Sequence, residues 1–186
     1  MTTATSQTPV AVPAGTWNVD PVHSTVGFEV KHFGISTFRG RFTGYEGTIE
    51  TGPGRIERVD GRVDATSVDV RDEQLAAHLR SEDFFDVASH PEIVFASTAV
   101  RPLGETRFEV DGELTIRATT RPVTLEVEVD GAGPDPYGGE RLSLIGRGEI
   151  DRTEYGISWN DTIANGALVV GEKVRLVLTV EAVREG

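Results

Sequence analysis

Residues 107–130 read RFEVDGELTIRATTRPVTLEVEVD, and apolar and polar side chains alternate along most of this stretch. A period of two is typical of a β-strand with one buried face and one solvent-exposed face. We therefore predict two strands here, with charged residues such as Glu126 and Glu128 on the outer face. The apolar faces contain Phe108, Val110, Leu114 and Ile116 in the first run, and Val123, Leu125, Val127 and Val129 in the second.

The same alternation returns along the rest of the chain and predicts about eight strands in total. The other six runs are Thr25–Phe33, Phe38–Thr48, Ile56–Val70, Glu92–Arg101, Arg141–Asp151 and Ala167–Val183. One insert is helical instead, because Asp72–Arg80 is rich in helix formers and places Leu75 and Leu79 one turn apart. Clustered Gly, Pro and Asn predict turns at Thr51–Gly54, Gly131–Gly139 and Asn165–Gly166.

Eight antiparallel strands with mostly short connections predict an all-β fold, an eight-stranded up-and-down barrel without exposed sheet edges. A two-sheet sandwich would show similar alternation, so periodicity alone leaves it open. Glycines inside the strands favour the barrel, because they permit the bends and bulges that closure requires. These glycines are Gly40, Gly44, Gly61, Gly112, Gly146 and Gly148. Such a barrel is either just filled by side chains or wide enough for one small ligand.

Composition restricts the class of protein. The 186 residues include 18 Lys and Arg against 30 Asp and Glu, which gives a net charge of −12, and no Cys. This length predicts one domain, residues 15–186, after a disordered tail at residues 1–14. The acidic balance argues against nucleic acid and anionic membrane surfaces as partners. It also disfavours a bare anionic ligand, which would need Lys31, Arg39 or Arg41 near its site.

The N-terminal residues bear on the expected location. Residues 1–15 have no basic start and no apolar run of about 7–15 residues, which a secretory signal requires. No stretch of the chain approaches the roughly 20 apolar residues of a membrane helix. We therefore expect a cytoplasmic protein with no integral membrane segment.

Four ordered blocks of sequence carry a resemblance to a known family. They are WNVDPVHSTVGFEVKHFGISTFRGRF at 17–42, VDATSVDVRDEQLAAHLRSEDFFDVASHPEIVF at 63–95, GELTIRATTRPVTL at 112–125 and IDRTEYGISWN at 150–160. With these blocks the chain resembles the YceI-like family of bacterial lipid-binding proteins. The resemblance implies a lipocalin-like barrel with a long apolar lumen that binds polyisoprenoid chains or related amphiphiles. Many members carry a secretory signal, and this sequence departs from them there.

Aromatic and apolar side chains provide the candidate ligand site. The predicted binding residues are Phe28, Val30, His32, Phe33, Phe38, Phe42, Phe84, Phe85, Phe95 and Trp159. The residues alone favour an ordinary filled core, whereas the resemblance favours a tunnel wall and mouth that hold an aliphatic chain. The helical insert with Phe84 and Phe85 is expected either to cover the barrel as a lid or to plug one end.

Polar residues give no sign of catalysis, and no catalytic residue, metal ligand or cofactor is predicted. The chain lacks a nucleophile elbow, a P-loop and a dinucleotide fingerprint. His32 falls on an apolar face, so it points inward or to a barrel end and could contact a ligand head group. We interpret His23 as a turn residue and His78 and His90 as surface or turn residues. Arg152–Glu154 is interpreted as a strand-end turn whose polar groups gate the mouth.

We therefore expect a barrel that binds a long-chain isoprenoid or another lipid without turning it over, with a homodimer as one possible assembly. Two alternatives from other classes stay open. A barrel too tightly filled for a ligand would be a structural or stress-associated interaction protein. A lipocalin-like enzyme is the weaker alternative, because it would need polar groups that converge inside the lumen.

Overall fold

The computed structural model describes residues 12–186, which form one antiparallel sheet closed into a barrel. Neighbouring strands pair antiparallel around the ring, and the first strand, Gly15–Val19, pairs with the last, Val170–Arg184, to close it. The predicted all-β barrel with one short helical insert is confirmed, and this closure rules out the sandwich. The elements are β1 (Gly15–Val19), β2 (Thr25–His32), β3 (Ser36–Phe42), β4 (Tyr45–Gly52), β5 (Arg55–Asp64), β6 (Val68–Asp69), α1 (Glu73–Arg80), β7 (Glu92–Pro102), β8 (Arg107–Ile116), β9 (Thr119–Pro134), β10 (Glu140–Asp151) and β11 (Val170–Arg184).

The eleven segments make eight barrel strands, because three strands are each interrupted once. β1 and β2 lie end to end along β11. The next barrel strand consists of β3, which pairs with β2, and β4, which pairs with β1. The one after it consists of β5, which pairs with β4, and β6, which pairs with β3. The unbroken runs predicted at Phe38–Thr48 and Ile56–Val70 are therefore wrong in this respect, and the strand Gly15–Val19 was not predicted.

Side-chain hydrogen bonds replace sheet pairing at two of these interruptions. Between β3 and β4 the amide of Gly44 donates to Ser67 Oγ at 2.8 Å. Between β5 and β6 the carboxylate of Asp64 caps a short 3-10 helix (Ala65–Ser67) and accepts from the Thr66 amide at 2.8 Å. Hydrogen bonds of this kind do not change the alternation of apolar and polar residues. The sequence pattern therefore runs across the breaks without a sign of them.

The two ends of the barrel differ. The helix end is covered by α1, a second 3-10 helix (Arg152–Tyr155) and residues 156–169, whereas the turn end holds the connections after β4, β7 and β9. Trp17 is fully buried near the turn end, and its Nε1 donates to Thr51 Oγ1 at 2.8 Å. Side chains fill the interior around it: Ile49, Ile56, Phe108, Val110, Leu142 and Ala182.

Two further boundaries follow from local hydrogen bonds. α1 begins one residue after Asp72, whose carboxylate accepts from the Leu75 amide at 2.8 Å as an N-cap does. The turn predicted at Gly131–Gly139 is shorter than expected, because β9 continues to Pro134 and pairs there with Glu140 of β10.

The structure describes only the last three residues of the predicted disordered tail. Of the predicted tail at residues 1–14, residues 1–11 lie outside the described residues. Val12 is 2% exposed and packs into the core, and its carbonyl accepts from the Gly54 amide at 3.0 Å. Among residues 12–186, no helix has the length and apolar character needed to span a membrane.

We predict that Trp17 is a principal source of stability at the turn end. Trp17→Ala should lower the free energy of unfolding by about 3–5 kcal/mol, because a large cavity remains in a packed core. Trp17→Phe should cost about 1–3 kcal/mol, since the Thr51 hydroxyl then loses its donor. Urea unfolding measures both values. The control is Tyr137→Ala at a 90% exposed residue, and a Trp17→Ala effect no larger than that control would contradict the prediction.

Candidate functional site

The half of the barrel toward the helix end contains a cavity of about 560 Å³, within the usual range of roughly 300–1,000 Å³ for small-molecule sites. Its wall is almost entirely apolar. Nine predicted residues line it: Phe28, Val30, His32, Phe38, Phe42, Phe84, Phe85, Phe95 and Trp159. Phe33 is not part of the lining. It has a left-handed backbone with φ of 54° in the turn after β2, and its ring lies 3.8 Å from that of His32.

Inward-facing glycines leave room for this cavity. The ring of Phe28 lies over Gly40 of the paired strand β3, where a Cβ would come within 2.3 Å of Phe28 Cζ. The ring of Phe95 lies over Gly112 of β8 in the same way, at 2.5 Å. Each ring can therefore lie along the wall over its glycine neighbour, whereas a side chain at that glycine would force it off the wall.

The structure shows a role for these glycines that the sequence did not suggest. We expected glycines such as Gly40 and Gly112 to mark bulges and bends. The register shifts of the sheet lie at Glu50/Thr51, Ser97/Ala99, Ser143/Leu144 and Val170/Val174. Gly112 pairs with Ser97 and so lies beside one of them, whereas Gly40 lies in a regular stretch of pairing. At Gly40 the need for glycine is set by the neighbouring aromatic ring. At Gly112 it is set by the Phe95 ring and by the Ala96 carbonyl oxygen, which a Cβ would approach to 2.7 Å.

α1 and the residues after it cover the helix end of the cavity. Leu75, His78 and Leu79 occupy one face of the helix and line the cavity with Phe84 and Phe85. The His78 ring makes edge contacts with Phe84 and Trp159, at centroid distances of 5.0 and 4.9 Å. The interpretation of His78 as a surface or turn residue is therefore only partly correct, because 34% of its side chain is exposed while its ring also lines the cavity. Its i, i+3, i+4 spacing with Leu75 and Leu79 was the sequence signal for this face.

Arg152 is the most unusual polar residue of the lining. Its side chain is 4% exposed, and it follows β10 at the helix end. The guanidinium donates to four main-chain carbonyls, those of Gly171 (2.9 Å), Ile157 (2.8 Å), Trp159 (3.0 Å) and Val170 (3.2 Å). Burial lowers the pKa of Arg152 from its usual value, although an arginine stays charged at neutral pH. The turn predicted at Arg152–Glu154 thus places a buried cation at the cavity.

Two of the basic residues that the sequence offered for an anionic ligand form ion pairs on the outside of the barrel. Arg39 pairs with Glu29 at 2.7 Å, and Arg41 pairs with Asp69 at 2.8 Å. The third, Lys31, contributes to the cavity lining, and its Nζ donates to the Thr37 hydroxyl at 3.3 Å. These contacts are cross-strand pairs on an exposed face, which stabilise a sheet modestly.

Asp20, His23 and Glu181 form a cluster outside the cavity whose ligand atoms lie within 4.8 Å of one another. Arg141 already occupies this cluster, with Nη1 2.9 Å from Asp20 and 2.5 Å from Glu181. Hydrogen bonds from His23 and Arg141 lower the pKa of Asp20 to about 2. A metal ion would have to displace the guanidinium, so we interpret the cluster as an ion-pair network that joins the 20–24 turn to β10 and β11.

We predict that the contact between Phe28 and Gly40 keeps the cavity open. Gly40→Ala should destabilise the protein by about 1–3 kcal/mol, because the new methyl group pushes the ring off the wall. In a Phe28→Ala background the same change should cost much less, since no ring is displaced. Urea unfolding of the four variants gives the coupling energy. Gly61→Ala is the matched control, because its nearest neighbour would lie 3.7 Å away. Additive effects at Phe28 and Gly40 would contradict the prediction.

Similar proteins place this barrel among known folds. BcnA of Burkholderia cenocepacia has a TM-score of 0.77 at 22% identity, and covers 88% of this chain and 98% of its own. A structure described as a polyisoprenoid binding domain from Saccharophagus degradans has a TM-score of 0.66 at 13% identity, and covers 92% of this chain and 99% of its own. Both likenesses concern the fold.

Curated relatives give the closer sequence matches. A UPF0312 protein of Vibrio parahaemolyticus is 35% identical over 156 residues, or 80% of this chain and 82% of that protein. Protein YceI of Escherichia coli O157:H7 is 33% identical over 166 residues, or 88% of this chain and 83% of that protein. The YceI-like domain itself matches residues 17–182. The chain therefore belongs to the YceI-like family.

Proposed function

We propose that this protein binds the long apolar chain of a polyisoprenoid or related lipid inside its barrel and sequesters or transports it. The cavity of about 560 Å³ with its apolar wall is the observation that carries this proposal. The description of the Saccharophagus degradans neighbour as polyisoprenoid-binding supports the same class of ligand. In this proposal the predicted residues that line the cavity contact the ligand.

Apolar burial alone can hold such a ligand. Each buried CH₂ group contributes roughly 0.8 kcal/mol, so a chain of about 20 carbons gains on the order of 10 kcal/mol or more. This gain is comparable to the cost of association, about 4–15 kcal/mol. The site therefore needs little polar chemistry beyond a contact with the head group, a role that we assign in part to His32 at the end of β2.

Binding without turnover fits the lining better than the alternatives. A filled core, which the interaction-protein alternative requires, does not agree with a cavity of this size. Among residues 12–186, no Ser, Thr or Cys lines the cavity. The ring of His78 is bonded to Asp83 at 3.0 Å and faces aromatic neighbours. The lining of the described residues thus offers no hydroxyl or thiol nucleophile of the Ser, Thr or Cys type.

Two further properties, the location and the oligomeric state, are predictions with separate tests. Cell fractionation tests a cytoplasmic location. Size-exclusion chromatography with light scattering tests whether a homodimer forms.

Extraction tests the proposed ligand class directly. We expect organic extraction of the purified protein, followed by mass spectrometry, to release a long-chain isoprenoid or similar lipid in near-stoichiometric amount. The protein after unfolding, extraction and refolding should bind added geranylgeraniol. Empty protein that also fails to bind geranylgeraniol in titration would overturn the proposal.

Substitutions on the two faces of the wall test the position of the site. Phe28→Asp should weaken geranylgeraniol binding by about tenfold or more, because the ring contact is lost and a carboxylate enters an apolar space. Glu128→Lys on the exposed face of β9 should leave the affinity unchanged. Tryptophan fluorescence titration measures both affinities, and thermal unfolding verifies that each variant is folded. Equal effects from the two substitutions would reject this site.

A further inference from the structure

Arg152 carries a charge that the fold does not pair. Within residues 12–186 it is the only charged side chain among the buried ones, and no carboxylate oxygen lies within 4.0 Å of its guanidinium. Asp151 and Glu172 act on it only from beyond that distance, and Asp151 itself faces Lys173 at 3.4 Å. A buried cation is costly when no anion accompanies it.

Main-chain carbonyls satisfy most of the guanidinium but do not neutralise it. Ile157 and Trp159 contribute two acceptors before β11, and Val170 and Gly171 contribute two at its start. A guanidinium has five N–H donors, so four are used within the described residues and one on Nη2 is left. The carbonyls explain how Arg152 fastens residues 156–169 to the barrel. They leave its full positive charge in place.

The position of this charge gives the cavity two chemically different ends. Arg152 lines the cavity at the helix end, together with Trp159 and His78. Toward the turn end the interior is closed by apolar side chains around Trp17. An elongated ligand with one polar end would therefore lie with its tail toward Trp17 and its head toward Arg152.

We propose that Arg152 selects amphiphiles whose head group carries an anionic oxygen, such as a phosphate monoester or a carboxylate. This inference rests on the proposed lipid-binding function and names the head-group class for the same cavity. A charge-assisted hydrogen bond from Nη2 is stronger than a neutral one, and the surrounding apolar wall strengthens the attraction between the charges. The net charge of −12 lies largely on outer faces, where solvent and salt screen it.

Two ligands with the same tail separate the head group from the chain. We suggest titrating the lipid-free protein with geranylgeranyl monophosphate and with geranylgeraniol by isothermal calorimetry. The wild-type protein should bind the phosphate about ten- to a hundredfold more tightly, the range expected for a hydrogen bond to a charged group. Arg152→Met should remove most of this preference and keep the affinity for the alcohol. Arg152→Lys should keep part of it, because the charge remains but the planar fork is lost.

Arg117→Met is the matched control. Arg117 Nη1 also fastens the 156–169 segment, through the Gly156 carbonyl at 3.0 Å, but it is only half-buried and does not line the cavity. This variant should keep the wild-type ratio of affinities. If Arg152→Met does not fold, the wild-type ratio and Arg152→Lys decide the question.

The outcomes distinguish the two proposals. Equal wild-type affinities for the phosphate and the alcohol would overturn the role of Arg152 and leave the lipid-binding function standing. Equal weakening of both ligands by Arg152→Met would also overturn it, because that is the result of a purely structural arginine. Failure of the wild-type protein to bind either ligand would overturn the proposed function itself.

Discussion

The open interior of this barrel depends on the contact between aromatic rings and glycines of neighbouring strands. Eight strands enclose a space that ordinary side chains just fill. Phe28 over Gly40 and Phe95 over Gly112 relieve this constraint, because each ring lies over a position without a side chain. These paired positions on adjacent strands thus leave room for the cavity of about 560 Å³.

The two ends of the barrel close this space with different kinds of residues. The packed core around Trp17 closes the turn end, while α1 and Trp159 cover the helix end with aromatic and aliphatic side chains. Arg152 fastens residues 156–169 at that same end through four carbonyls. The geometry therefore combines a sealed apolar floor with a polar contact near the cover, an arrangement suited to an amphiphile with a single tail.

The fold could be predicted from the sequence because side chains along a barrel strand alternate between its inner and outer faces. Most of the cavity lining could be predicted for the same reason, since the lining residues follow this period of two. Three kinds of features lay outside its reach. The breaks at Gly44 and Asp64 depend on a few local hydrogen bonds between side chains and main-chain groups. The partner of Phe28 is a glycine that only strand register brings beneath the ring. The burial of Arg152 depends on carbonyls distant along the chain, so the local sequence around it showed only a polar turn.

A crystal structure of the protein with bound geranylgeraniol tests the central claim most directly. The account predicts continuous density for the isoprenoid tail inside the barrel, in contact with Phe28 and Phe95 and ending above the core around Trp17. Density confined to the outer surface, or an interior in which these rings fill the space, would contradict it.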